Sequence, residues 1–260
     1  MEIELGYYQA KAMLEWQVEL GVDEVIGEAP VNRYEVPKVA PKPVTQPPVA
    51  APAIAKPVEV DAVAEAQAAA QVDTLDALQA AMVGFELCEM KRGARNTVFA
   101  DGNPAARVMV IGEAPGRDED IQGKPFVGRA GQLLDRMFDA ISMERTHPDA
   151  ERALYITNVL PWRPPQNRKP TPAEVAMLMP FVKRHVELID PQVIVAMGNT
   201  SCMGLMGREG ITRLRGNWTE YLGKPVLPMF NPTYLLGNPH NKREAWQDLL
   251  TLQARLRDLR

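Results

Sequence analysis

Four short apolar runs, RVMVIG (107–112), LYITNVL (154–160), VIVAMG (193–198) and PVLPMF (225–230), constrain this chain more than any other feature. Each is too short for a packed helix. Each also lacks the in–out alternation of a strand with one wet face, so each reads as a strand buried on both sides. Helical spacing fills the intervals. LLDRMFDAI (133–141) is one such segment. TPAEVAMLMPFVKRHVELI opens on a Thr-Pro start signal, with Pro180 expected to kink it. REAWQDLLTLQARLRDL closes the chain with apolar residues at 246, 249, 250, 252 and 256. Alternating buried strands and helices predict a parallel sheet covered by helices. The expected fold is therefore α/β: one three-layer αβα domain over residues 73–260, with a short parallel sheet of about four strands. Its first helix is expected to be capped by Asp73 or Thr74.

The N-terminal part differs in composition. Residues 1–28 read as a helical segment, clearest over 6–28 and interrupted at Gly21. Residues 29–72 form a Pro/Ala-rich linker, with eight prolines between Ala29 and Val60. Proline at that density excludes helices and interior strands, so the linker is expected to be extended and largely disordered. Charge divides the same way. Residues 1–72 carry 11 acidic and 5 basic side chains, leaving 22 acidic and 24 basic for the rest. The acidic segment is unsuited to DNA, and residues 6–28 stand as a possible docking element for a protein partner or for the domain's own surface. The near-neutral domain would need local basic patches to bind nucleic acid.

Two cysteines, Cys88 and Cys202, are too few for a disulfide framework or a cysteine-built metal site. No apolar run approaches the roughly 18 residues of a membrane span, and MEIELGYYQAK lacks the basic and apolar regions of a signal peptide. The expectation is a soluble, cytoplasmic monomer without membrane association.

In parallel sheets the site lies at the carboxyl ends of the strands. Three such ends carry polar groups in Pro/Gly-shaped loops: GEAPGRDED, NVLPWRPPQNRKP and NPTYLLGNP. The longest stretch, GEAPGRDEDIQGKPFVGRAG (112–131), fits neither GxxxxGK[ST] nor GxGxxG, which argues against a phosphate cradle. Asp118, Glu119 and Asp120 are either metal ligands or, more simply, solvated acids at a helix start. Phe126 is either core or an aromatic face presented to a flat ligand.

GEAPGRDEDIQGKPFVGRAGQLLD, TNVLPWRPPQNRKPTPAE and NPTYLLGNP, in this order, resemble the motifs of the uracil-DNA glycosylase superfamily, most of all its family 4, over roughly residues 85–255. The resemblance implies a pocket built from Gly112, Ala114, Pro115, Gly116, Phe126 and Asn158. Glu113 would sit beside the target sugar, Phe126 would stack on the flipped base, and Asn158 would read the base edge. An amide pairs with the N3–H and O4 of uracil but not with the reversed pattern of cytosine. Tyr234, Leu235 and Leu236 are candidates to fill the gap in the base stack. Arg163, Arg168, Lys169, Arg213 and Arg215 are candidates for phosphate contacts.

The chain departs from family 4 at two places. That family usually holds an iron–sulfur cluster on four cysteines, whose positions fall here on Phe85, Cys88, Trp162 and Leu178. One thiolate does not hold such a cluster, so no cluster and no metal cofactor are expected, with these residues packing as an apolar plug. The last motif usually begins with histidine, and here it begins with Asn231. Asn231 can donate to uracil O2 as a catalytic group but cannot become cationic. The resemblance thus implies a monofunctional glycosylase acting on uracil-containing DNA and leaving an abasic site. The alternatives are a lesion or abasic-site binding protein with weak turnover, or a glycosylase for another deaminated base.

Overall fold

The computed structural model describes Lys11 and residues 61–259. Apart from Lys11, which is helical, the helix expected over residues 6–28 and the tether before Asp61 lie outside the described residues. The sheet has six strands in the order β1-β3-β2-β4-β6-β5. Its centre is the predicted parallel set: β2 (Val108–Gly112), β3 (Leu154–Asn158), β4 (Val193–Met197) and β6 (Lys224–Met229). The sequence reading omitted the two edges, β1 (Ala100–Gly102) on β3 and β5 (Thr219–Tyr221) on β6, both antiparallel. Each is three residues long and only partly buried or exposed, so neither leaves an apolar run to read.

The central strands separate two cores by alternation. Met109, Ile111, Tyr155, Ile194, Ala196 and Val226 face one side, while Val108, Val110, Leu154, Ile156, Val195 and Leu227 face the other. Burying such a side chain contributes roughly 1.5–3 kcal/mol, so both faces must be covered. On the first side lie α1 (Ala62–Ala69), α2 (Leu75–Gly84), α5 (Pro172–Ile189) and α6 (Asn199–Met206), through residues such as Ala66, Leu78, Phe181 and Cys202. On the second lie α4 (Arg129–Asp139) and α9 (Lys242–Asp258), through Leu134, Phe138, Leu249, Leu252 and Leu256. Short helices α3 (Arg117–Gln122), α7 (Ile211–Leu214) and α8 (Pro232–Gly237) lie in the connections that follow β2, β4 and β6.

Thr74 caps α2 by accepting from the Ala77 N–H. Thr171 and Glu174 close a reciprocal capping box on α5, and Pro180 sits inside that helix without ending it. One expectation needs correction. The linker does not run to residue 72. Asp61 caps α1 through the N–H groups of Val63 and Ala64, and Ala66 and Ala70 are buried in the core. Alanine is small enough for that helix to lie close to its neighbour, so residues 62–70 are part of the packed domain. In α9, Trp246 and Leu250 are exposed rather than core, because the buried face runs through Ala245, Asp248, Leu249, Leu252 and Leu256.

Candidate active site

Strands β2 and β4 are neighbours whose onward connections leave in opposite directions, β2 toward β3 and β4 toward β6. The crevice at such a switch point is where parallel sheets place their sites. Four strand ends meet there. Gly112 ends β2 directly opposite Asn158 at the end of β3. The pairing continues past both strands, with Val159 and Leu160 donating to the carbonyls of Gly112 and Glu113. Glu113 and Asn158 are thereby held side by side in a cavity of about 400 Å³.

Gly112 is the floor of this arrangement and is itself buried. A Cβ there would lie 2.3 Å from Asn158 Oδ1 and 2.6 Å from the Phe126 ring, so only glycine lets the amide and the ring approach each other. Asn158 is 6% exposed, and its Oδ1 has no hydrogen-bond partner among the described residues. A buried acceptor left unpaired costs free energy unless something else satisfies it. Phe126 lies beside it with a left-handed backbone (φ 52°), rare for a large side chain.

Glu113 is held at both oxygens. Oε1 accepts from the Thr200 N–H at 2.9 Å, in the first turn of α6, and Oε2 accepts from Asn231 Nδ2 at 2.9 Å. Gly198 (φ 96°) makes room, since a Cβ there would lie 2.5 Å from the Glu113 carboxyl carbon. The first turn of α6 and the Asn231 amide thus each donate one N–H to this carboxyl group. Burial, and secondarily the nearby Glu113 charge, pushes the Cys202 thiol up to about 12. Asn231 spends its other amide atom capping α8, with Oδ1 accepting from Thr233 N.

Ala114, Pro115 and Gly116 line the cavity with Glu113, Phe126, Asn158 and Asn231, and Arg168 and Lys169 stand at its wall. Arg168 is paired with Glu174, which holds that carboxyl down at about 2. Arg163 donates to Asn167, another lining residue, while Arg213 is exposed on α7. Two of the proposed DNA contacts are corrected. Leu235 is fully buried in the core and faces no solvent. Arg215 is committed to the buried carboxylate of Asp248 and to the Glu244 carbonyl, and it lies over the Phe230 ring. Tyr234 and Leu236 are partly exposed outside the cavity lining, Tyr234 stacked on Phe230.

Of the three acids in the opening motif, Asp118 is exposed, as a solvated turn residue would be, while the other two are engaged with backbone. Glu119 accepts from Gly116, Val127 and Gly128, and Asp120 from Arg95 and Asn96. No group of three or more His, Cys, Asp or Glu is arranged to hold a metal ion among the described residues. Sequence reasoning missed Thr200, whose contribution is a backbone N–H and so carries no side-chain signature. The signal for it was the third strand end, VIVAMG followed by a helix. A larger cavity of about 610 Å³ opens between α1 and α5; Tyr221 of the edge strand β5 lines it, but none of the four parallel strands does.

Fold and site define a doubly wound α/β protein with a polar crevice at its strand switch point. The model of the uracil DNA glycosylase superfamily matches residues 99–250, and the chain belongs to that superfamily. It is 40% identical over 158 residues to a type-4 uracil-DNA glycosylase of Thermotoga maritima, covering 60% of this chain and 79% of that protein. It is 35% identical to the type-4 enzyme of Archaeoglobus fulgidus (68% and 90% covered) and 34% identical to that of Saccharolobus solfataricus (71% and 88%).

The four positions where family 4 usually carries cluster-binding cysteines hold Phe85, Cys88, Trp162 and Leu178, all buried within one core. The Phe85 ring meets Phe181 edge-on, and Trp162 Nε1 donates to Thr97 Oγ1 at 3.0 Å. Burial pushes the Cys88 thiol up, against the thiolate a metal needs. These residues do not fit an iron–sulfur cluster.

Proposed function

We propose that this protein is a monofunctional uracil-DNA glycosylase of base excision repair, which hydrolyses the N-glycosidic bond of a flipped-out deoxyuridine and leaves an abasic site. One observation carries the reading: the unpaired, buried Oδ1 of Asn158 beside the Phe126 ring. Uracil N3–H supplies the missing donor and its O4 takes the amide N–H, while the ring lies against Phe126. Cytosine offers the opposite pattern and leaves the acceptor unpaired.

The bond between C1′ and N1 breaks with its electron pair leaving on uracil, so positive charge gathers on the sugar. Glu113, fixed at both oxygens, stabilises that charge and orients the water that adds to C1′. Asn231 keeps a second N–H beyond the one given to Glu113, and this donates to uracil O2. A base inside a duplex does not reach the crevice, so the nucleotide enters unstacked. Arg163, Arg168, Lys169 and Arg213 attract the backbone, and Tyr234 and Leu236 are the remaining candidates to fill the vacated stack. In this reading the protein acts as a cytoplasmic monomer, with apolar packing where relatives of its family use a cluster. No described helix is long and apolar enough to cross a membrane.

The test is single-turnover cleavage of oligonucleotides carrying one uracil, with Glu113→Ala and Asn158→Ala alongside. Cleavage lost in both variants supports the reading. Failure of the intact protein to cleave, with tight binding to abasic DNA, would return it to a lesion-binding role.

A further inference from the structure

We infer that Arg145 is a positioning residue that clamps Phe126 in its left-handed conformation and so sets the stacking face of the base pocket. The inference rests on the proposed glycosylase reading of that pocket. Arg145 lies 19 residues beyond Phe126, outside every motif of the site, and its side chain is only 12% exposed. All five guanidinium N–H groups are used. Nε and Nη2 donate to Asp135 Oδ1, and Nη1 donates to Asp101 Oδ2. The two remaining bonds go to backbone: Nη1 to the Pro125 carbonyl at 3.0 Å and Nη2 to the Phe126 carbonyl at 2.9 Å.

Those carbonyls belong to the peptide units on either side of Phe126, whose φ of 52° is unfavourable for an aromatic residue and needs holding. Two further features grip the same point. Gly131 packs so closely that a Cβ there would lie 1.7 Å from the Phe126 carbonyl oxygen. Glu119 Oε1 accepts from Val127 and Gly128 at 2.9 Å each, immediately after Phe126. The loop is thus fixed by its carbonyls on one side and its amides on the other. Asp101 and Asp135 neutralise the buried guanidinium and aim its fork. Lysine, a point charge with three donors, does not reproduce that planar grip.

The experiment compares the full-length protein with Arg145→Gln, Arg145→Lys, Phe126→Ala and the Arg145→Gln/Phe126→Ala double variant. Arg145→Gln is expected to lower the maximal single-turnover rate, and to weaken inhibition by free uracil, by about 10- to 100-fold. Affinity for a duplex carrying an abasic-site analogue should change by less than about twofold, because that ligand does not use the stacking face. Arg145→Lys should fall between wild type and Arg145→Gln. In the double variant, losing Arg145 should cost less than about threefold beyond Phe126→Ala, since both act through one ring. Multiplying effects, or an equal loss of abasic-DNA affinity, would overturn the assignment. Hydrogen exchange over residues 123–131 supplies a readout independent of activity. Faster exchange confined to that loop supports the clamp, and unchanged exchange overturns it. Should Arg145→Gln fail to fold, Arg145→Lys carries the same comparison. If wild type cleaves no uracil, the glycosylase reading falls while the exchange result still decides the clamp.

Discussion

Asn231 Nδ2 lies 2.9 Å from Glu113 Oε2, so the residue that closes the last parallel strand holds the carboxylate that follows the first. Where family 4 usually has histidine, this chain has a neutral amide engaged with the site's own carboxylate. Asn231→Asp would set two carboxylates at hydrogen-bond distance, and such a pair retains a shared proton to higher pH. With that proton in place, the new side chain donates to Glu113 as the amide does. Without it, repulsion disturbs Glu113. Cleavage by Asn231→Asp should therefore fall steeply as pH rises, whereas wild type, with no histidine among the described residues that line the cavity, should show no limb near about 6.5. Single-turnover rates across pH decide it, and superimposable profiles would remove Asn231 from the mechanism.

Gly112→Ala places a methyl group where Asn158 Oδ1 and the Phe126 ring now meet. The amide and the ring must part, and the base loses both contacts. The expected loss of cleavage is on the order of 100-fold or more. Folding, followed by thermal melting, should survive, because the displaced groups border an open cavity.

Lys169 and Arg215 were equivalent in sequence and differ in the fold. Lys169→Ala should weaken DNA binding alike for all sequences and reduce the salt slope by about 1. Arg215→Ala instead strands Asp248, whose pKa burial already raises against the opposing pull of Arg215. Removing one partner of a buried ion pair costs about 3–5 kcal/mol. That variant should show a large fall in melting temperature with an unchanged salt slope.

His185 supplies a pH signature of stability. Its Nε2 lies 2.7 Å from the Tyr155 hydroxyl, its ring stacks on Phe99, and burial lowers its pKa from 6.5 to about 3. Between those values the unfolded chain binds a proton that the folded protein refuses. Stability from this residue is therefore complete above about 6.5, falls as pH drops below it, and levels off near 3. The slope for one proton is about 1.4 kcal/mol per pH unit. Denaturant unfolding of wild type and His185→Gln should diverge by that slope, and parallel curves would refute the assignment.

Anaerobically purified protein should contain no stoichiometric iron and lack the visible absorbance of a thiolate-ligated cluster. The reason is that Phe85, Trp162 and Leu178, buried in the same core as Cys88, offer no ligand to a metal. Cys88→Ala should accordingly alter stability by only the loss of a small buried side chain and leave cleavage intact.

The runs around Val110, Ile156, Val195 and Leu227 were readable because a strand buried on both faces must be apolar throughout. The strand-end loops that carry Glu113, Phe126, Asn158 and Asn231 were readable because glycines and prolines shape them. Local pattern determined that much by itself, and the resemblance to a known family singled out the four residues within those loops. Tertiary structure alone decided the rest. It buried Leu235 in the core, engaged Arg215 with Asp248, turned Asn231 toward Glu113, and recruited the Thr200 amide and the Arg145 guanidinium to hold the pocket. A side chain's partners come from segments far away in the chain, and an arginine reads the same whether it meets phosphate, a buried aspartate or a backbone carbonyl. Only the packing of the sheet and its helices settles which of these it finds.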